Sequence, residues 1–521
     1  MSIEDFRSSS PVLSTPPSGN PAPGVAPSAT GAAAHGAANA AAVAGAANGA
    51  ANGNAHGAAA SANGASATGA GATGAAAGSD FDIATIPEIS IPPRILMGAG
   101  PSASYPEALR AMGANTLGHL DPQFVEIMGN VNTMIRAVYR TKNPITGAIS
   151  GTGTAGMEAA MCNLIEHGDE VVVCVAGYFS DRMRQMAERM GAKVTVLQRQ
   201  WGTVFTPEEI EAALSKLEKP KVLAIVHAET STGALQPLEE ITKIVHGHGA
   251  LIVVDAVTSL AGCPLLIDEW DIDVCFSGTQ KCIGSPPGLS PITFNERAMT
   301  AIRSRKTPVQ SWYLDMSLVE TYWGDGGAGG RAYHHTAPSN ALFGLHEALR
   351  HTLLEGLENR WARHEMHSRA LMAGLLKMGL KPFAQEGHRL WQLNAVWIPE
   401  GINDQEGRTR LLQKYGIEIS GGLGDGKGKI WRIGTMGYSA SHSNIRLVLS
   451  ALEDILTDLG HPVEKGAATD AAEAVYAEYE AKRNVDSSGV HDSAQSTNTA
   501  QNAGLGETIG AEEVATGVAH K

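Results

Sequence analysis

The chain has 521 residues and a formal charge of −14, and its composition divides it into unequal parts. Between Gly31 and Asp80, 36 of 50 positions are Ala or Gly, too little apolar surface to offset the entropy of ordering that stretch. The acidic balance excludes the broad basic footprint of a nucleic-acid or anionic-membrane binder, and no apolar run approaches the roughly 20 residues of a spanning helix.

After Gly460 the chain turns again to Ala, Ser, Asn, Thr, Gly and Glu. Residues 1–85 and most of 461–521 are therefore expected to be disordered tails, with a helical composition at Ala468–Arg483. They flank a folded body divided into a large unit, 86–335, and a smaller one, 336–460. The five cysteines are odd in number and four lie in or beside apolar runs, which suits buried thiols in a reducing compartment better than a disulfide frame. Residues 1–30 lack the basic start and apolar centre of a signal peptide, and the final Ala-His-Lys differs from a peroxisomal address. Cytoplasm is the expectation by elimination.

Across the middle of the chain, short Val- and Ile-rich runs alternate with helical patterns. A strand at Ile145–Ser150 leads to a helix at Thr154–His167, whose Met157, Ala160, Met161, Leu164 and Ile165 form one apolar stripe. A strand at Glu170–Ala176 precedes a helix at Phe179–Met190, and a strand at Lys193–Leu197 precedes a helix at Pro207–Leu217. The last has Thr206 as cap and Pro207 at its first position. Strands at Val222–His227, Leu251–Asp255 and Val274–Ser277 follow, with a helix at Leu238–His248 among them. The pattern predicts an α/β fold, a mostly parallel sheet with helices on both faces. After Arg331 the pattern changes to a long helical region at Asn340–Met378, extended segments at Leu393–Ile398 and Lys429–Ile433, and a helix at Ser443–Leu459. This reads as a smaller C-terminal α+β domain.

In such sheets, functional groups collect beyond the carboxyl ends of the strands. Three polar features stand there. Ser150-Gly-Thr-Gly-Thr-Ala-Gly156 lies between strand and helix, where small residues and free N–H groups suit an anion; it matches neither a Walker loop nor G-x-G-x-x-G, and alone it is equally a tight turn. Asp255 ends a buried strand, where a carboxylate needs a cation or strong donor; a helix cap or a magnesium ligand would also satisfy it. Lys281 follows a Ser-Gly-Thr-Gln loop at the next strand end, 26 residues on; alone it could be a surface lysine, but a half-buried amine has a lowered pKa and attacks carbonyls. Together they meet the needs of pyridoxal 5′-phosphate: a phosphate cradle, an acid for the ring nitrogen and a Schiff-base lysine.

From Pro93-Arg-Ile-Leu-Met-Gly-Ala-Gly-Pro-Ser102 to about Leu459 the chain resembles the class V, fold-type I aminotransferases, close to the alanine–glyoxylate and serine–glyoxylate enzymes. The likeness rests on the ordered set Ser150–Thr154, Glu229-Thr-Ser-Thr-Gly233, Val254-Asp-Ala256, Ser277–Lys281, Tyr333-His-His-Thr336 and Trp431-Arg-Ile-Gly434. It implies that Lys281 carries the cofactor and Asp255 pairs with its ring nitrogen. Phe179 stands where the family stacks an aromatic ring, often Trp. Thr230 would donate to the phenolic oxygen, and Gly153, Thr154 and Gln280 would hold the phosphate. Tyr333 and Thr336 would reach in from a neighbouring subunit, which implies a homodimer. Arg432 would bind the substrate carboxylate, and Gly100 belongs to the segment near the substrate. No metal is expected: adjacent positions such as His334 and His335 usually point apart, and no third ligand is near in sequence. The implied reaction moves an amino group from a small amino acid to glyoxylate, with alanine as the first choice of donor and serine next. Pyridoxamine–pyruvate transamination stays open, and so does a non-catalytic scaffold with interaction tails.

Overall fold

The computed structural model describes residues 85–324 and 332–482. The tails expected at 1–85 and 461–521 lie outside the described residues except for residue 85 and residues 461–482. Residues 85–91 stand as a separate unit without strands, and the folded body begins at Pro92.

Seven strands form the main sheet: β1 (Ile145–Ser150), β2 (Glu170–Val175), β3 (Lys193–Gln198), β4 (Pro220–Val226), β5 (Leu251–Asp255), β6 (Val274–Phe276) and β7 (Leu289–Phe294). Their order across the sheet is β1-β7-β6-β5-β4-β2-β3. All neighbours are parallel except at β7, which runs antiparallel to both β1 and β6. Six strands match the sequence expectation within a residue or two; β7 was not expected. With β7 reversed between them, β1 and β6 point the same way, so Ser150, Val175, Val226, Asp255 and Phe276 all end on one edge.

The described residues form thirteen α-helices. On and around the main sheet are α1 (Pro106–Met112), α2 (Pro122–Tyr139), α3 (Gly153–Leu164), α4 (Tyr178–Arg189), α5 (Pro207–Leu214), α6 (Glu239–Gly247), α7 (Glu296–Arg303), α8 (Met316–Trp323) and α9 (Ser339–Glu355). Thr206 and Glu209 close a reciprocal capping box at α5, as Thr206-Pro207 suggested. The helical region after Asn340 is two helices, because Gly356 at φ +80° breaks it before α10 (Leu357–Lys377).

The β-branched strands and the faces of α2 to α9 bury one core. A second core joins α10, α11 (Asp404–Tyr415) and α12 (His442–Asp458) to the three antiparallel strands β8 (Leu393–Trp397), β9 (Ser420–Gly421) and β10 (Ile430–Gly434). Met97 enters this core from the N-terminal segment. It also runs past Gly460: α13, residues 467–482, buries Ala468, Ala472 and Tyr476 there. Glu453 fixes the start of α13, accepting from the Gly466 N–H at 2.9 Å and the Ala468 N–H at 2.7 Å. No described helix is long and apolar enough to cross a membrane.

Candidate active site

Lys281 follows β6 and is only 7% exposed. Its Nζ donates to the carbonyl of Ala99, and Gly100 beside it has φ +106°; a Cβ there would come within 2.3 Å of Nζ. Only glycine leaves room for the amine. The backbone of the lysine loop is fixed in turn: Ser102 Oγ donates to the Lys281 carbonyl at 2.8 Å, and the Ser102 N–H to the Gln280 carbonyl at 2.8 Å. Buried Arg360 donates to the Cys282 carbonyl. Burial, reinforced by the charge of Arg432, pushes the Lys281 amine down to about 8, with Cys282 and Asp255 opposing.

Asp255 ends β5 at 2% exposure, and its Oδ1 accepts the Val257 N–H at 2.8 Å. Burial raises its carboxyl to about 7, Glu229 adds to the rise, and the Val257 N–H, Lys281 and Arg182 resist it. Thr230 lies after β4; its hydroxyl pairs with that of Thr258 at 2.5 Å. One of the two oxygens must donate to the other, which leaves one hydroxyl proton of the pair available elsewhere.

Gly153 opens α3 against Val257, where a Cβ would stand 3.0 Å from Val257 Cγ2. No acid sits in the first turn of α3 and no side chain caps it. Thr154 Oγ1 accepts from Arg182 Nη1 at 3.0 Å, and the Arg182 guanidinium lies 5.1 Å above the Phe179 ring. Gln280 Oε1 is buried and finds no hydrogen-bond partner among the described residues. Buried Glu229 accepts from the Phe179 N–H at 3.3 Å, the Ser180 N–H at 3.1 Å and the Ser231 hydroxyl at 2.5 Å, so it anchors the start of α4.

Arg432, on β10, reaches across from the small domain. Its Nη1 donates to the Thr230 carbonyl at 3.1 Å and its Nε to the Gly421 carbonyl at 2.8 Å. Burial lowers its pKa to about 10. Lys281, Asp255, Gly100, Thr230 and Arg432 thus converge where the sheet edge meets the small domain, with Gly153 and Thr154 beside them. Tyr333 and Thr336 do not join this cluster in the single chain: Tyr333 is 61% exposed, and its hydroxyl lies 3.4 Å from that of Thr336. Between them, His335 Nε2 pairs with Ser150 Oγ at 3.1 Å. Among the described residues no group of three or more His, Cys, Asp or Glu could hold a metal ion. The sequence reading gave no role to Arg182, Thr258, Ser102 or Arg360, and it quoted Glu229 only inside a motif.

The aminotransferase class-V family profile matches residues 102–427. The chain belongs to the class-V aminotransferases. It is 40% identical over 407 residues to the (S)-ureidoglycine–glyoxylate transaminase of Bacillus subtilis, covering 75% of this chain and 97% of that one. It is 39% identical to the alanine–glyoxylate aminotransferase of Drosophila melanogaster, covering 70% and 93%. Among solved structures, the alanine–glyoxylate aminotransferase of Nostoc sp. shares 44% identity at a TM-score of 0.69, over 71% of this chain and 97% of that one. This class-V aminotransferase is accordingly an enzyme dependent on pyridoxal 5′-phosphate, of fold type I. The residues present fit the cofactor. A buried amine faces a glycine that leaves it space, a buried acid ends the adjacent strand, and an acid-free, uncapped helix start flanks them.

Proposed function

We propose that this class-V aminotransferase moves the amino group of a small amino acid to glyoxylate, with L-alanine as donor, giving pyruvate and glycine. The observation that carries this reading is the meeting of a buried amine of pKa about 8, a buried carboxylate and a buried guanidinium at one sheet edge. When bound through its aldehyde carbon, the cofactor supplies an electron-withdrawing ring that accepts the electrons of the donor's Cα–H bond.

The chain's own residues do the rest. Lys281 is the residue to hold the cofactor, and its Nζ, poised near neutral pH, is the base that takes the Cα proton and returns it. Asp255 is the acid that keeps a proton on the ring nitrogen, because a buried carboxylate at the adjacent strand end is stabilised by a cation there. Arg432 is held at two points by backbone carbonyls, which leaves its remaining N–H groups to grip a substrate carboxylate. The Thr230–Thr258 pair offers one hydroxyl proton to the cofactor's phenolic oxygen, and Gly153, Thr154 and Gln280 cradle its phosphate. Phe179 covers one face of the ring. Exposed Tyr333 and Thr336 complete the phosphate site of a second subunit in a homodimer.

A second donor is favoured by a specific observation. Likeness to the B. subtilis ureidoglycine enzyme extends over 97% of that protein at 40% identity, so (S)-ureidoglycine competes with alanine as donor; serine is the third. The test is a half-reaction screen. Each donor is added to loaded enzyme and bleaching of the lysine-bound cofactor's visible band is followed, then each 2-oxo acid is added to restore it. Alanine should bleach and glyoxylate restore. Bleaching by ureidoglycine but not by alanine would exchange the donor, and bleaching by no amino donor would refute transamination.

A further inference from the structure

We propose that Arg182 is the cation of the phosphate subsite: it sets Thr154 in place and neutralises the bound phosphate's charge. The inference rests on the reading of Lys281 and Thr154 above and adds a residue which that reading does not contain.

Three observations converge on Arg182. Its Nη1 donates to Thr154 Oγ1 at 3.0 Å, at the second residue of α3. Its guanidinium lies over two rings, 5.1 Å from the Phe179 centroid and 5.5 Å from that of Tyr178, and the side chain is half-buried between them. Among the described residues it takes part in no ion pair, although acids are at hand: the preceding Asp181 turns instead to Arg184 at 2.6 Å and to Gln185 at 2.7 Å.

That placement runs against ordinary helix electrostatics. A cation is favoured at the C-terminus of a helix and disfavoured at its start, where the macrodipole is already positive. Arg182 nonetheless sits in the second turn of α4 and reaches the first turn of α3, where no acid is present. Glu229 answers the start of α4, accepting the N–H groups of Phe179 and Ser180, and its oxygens are engaged there and with Ser231. Among the described residues no side chain caps the start of α3, and its first turn holds no acid. The ring contacts hold the guanidinium in place, and one N–H fixes the Thr154 hydroxyl. The remaining N–H donors of a rigid fork are then available to an anion at the same turn. The chemistry of that anion is a phosphate monoester, because two free helix N–H groups, a hydroxyl and a guanidinium answer a dianion with several acceptor oxygens.

The test separates phosphate from ring. Cofactor-free wild type, Arg182→Gln and Arg182→Lys are titrated with pyridoxal 5′-phosphate and with pyridoxal, reading the absorption band of the lysine adduct. Inorganic phosphate is then used to compete with the former. Arg182→Gln should weaken pyridoxal 5′-phosphate about 10- to 100-fold, the scale of a lost charge-assisted hydrogen bond. It should change pyridoxal affinity less than about threefold and weaken phosphate competition in parallel. Arg182→Lys should recover part of the preference, since it restores the charge without the fork. Equal losses for both ligands would overturn the proposal and leave Arg182 a prop for Phe179 and Thr154, and no loss for either would overturn it outright. An adduct in none of the three proteins would strike at Lys281 instead.

Discussion

Asp255→Asn gives a stability signature whose size and sign follow from burial. The substitution keeps the shape of the side chain and an oxygen to accept the Val257 N–H at 2.8 Å, and removes only the ability to ionise. In the cofactor-free protein, the carboxyl is raised from 3.8 to about 7, chiefly by burial. The unfolded chain therefore releases this proton near pH 4 while the folded chain holds it until about pH 7. The stability that protonated Asp255 lends the fold is complete below pH 4 and is lost as pH rises through about 7, a change of about 4 kcal/mol. Asparagine has no such slope. Urea unfolding of cofactor-free protein should find the two equal near pH 4, with the variant gaining to about 4 kcal/mol by pH 7.5 and no further. With cofactor bound the preference should reverse: the amide cannot answer a protonated ring nitrogen, and kcat should fall about 100-fold. A stability difference that is constant with pH, or that shrinks toward pH 7, would refute the assignment of a buried, proton-holding carboxyl.

Lys281→Met should abolish turnover and the visible band together. Its effect on cofactor-free stability should run opposite in pH to that of Asp255: a pKa lowered from 10.5 to about 8 penalises the charged amine by about 3 kcal/mol below pH 8, so the variant's gain in urea should fade between pH 8 and 10.5. Gly100→Ala places a methyl 2.3 Å from Nζ at a φ of +106°, and should cost about 1–3 kcal/mol and weaken cofactor binding at least about tenfold, measured by titrating the band. Arg432→Lys replaces a fork by a point charge and should raise KM for amino-acid donors at least about tenfold with a smaller change in kcat. Initial rates with donor and 2-oxo acid varied together should give parallel double-reciprocal plots, whereas intersecting lines would require both substrates bound at once.

The parallel part of the fold was legible because each strand is a short, doubly covered hydrophobic run ended by polar residues. β7 escaped for a physical reason. Pro291 interrupts Leu289–Phe294 and ordinarily marks an edge or a turn, yet β7 lies inside the sheet between β1 and β6. The missing N–H is one lost donor. The Pro291 carbonyl is used twice, accepting the Ser277 N–H at 2.7 Å and the Tyr139 hydroxyl at 3.0 Å. α2 was legible in principle. Asp121 caps it, Pro122 opens it, and Phe124, Met128, Val131, Ile135 and Val138 repeat at helical spacing on its buried face. Past Gly460, α13 holds to the small domain through a few small residues, Tyr476 and the Glu453 cap. Its helical composition at Ala468–Arg483 was legible, but so weak an apolar signal did not show that the helix joins the small domain's core rather than the tail.

The candidate site divides along the same line. Lys281, Asp255 and the Ser150–Thr154 turn could be found in sequence because each follows its own strand, and parallel strands bring their ends together without further information. What supports them is non-local. Arg182 meets Thr154 across 28 residues, Glu229 meets Phe179 across 50, and Arg432 meets the Thr230 carbonyl across 202. No period within an element encodes such pairs. One half of the Arg182 arrangement is local, however: Phe179 and Arg182 are three apart on a helix, the spacing that sets a ring and a guanidinium on one face. An arginine one turn after an aromatic residue, beside a strand-end glycine-rich turn, is therefore a pattern readable in sequence. The Thr154 contact is what sets it apart from a helix-surface pair and carries the proposed phosphate subsite.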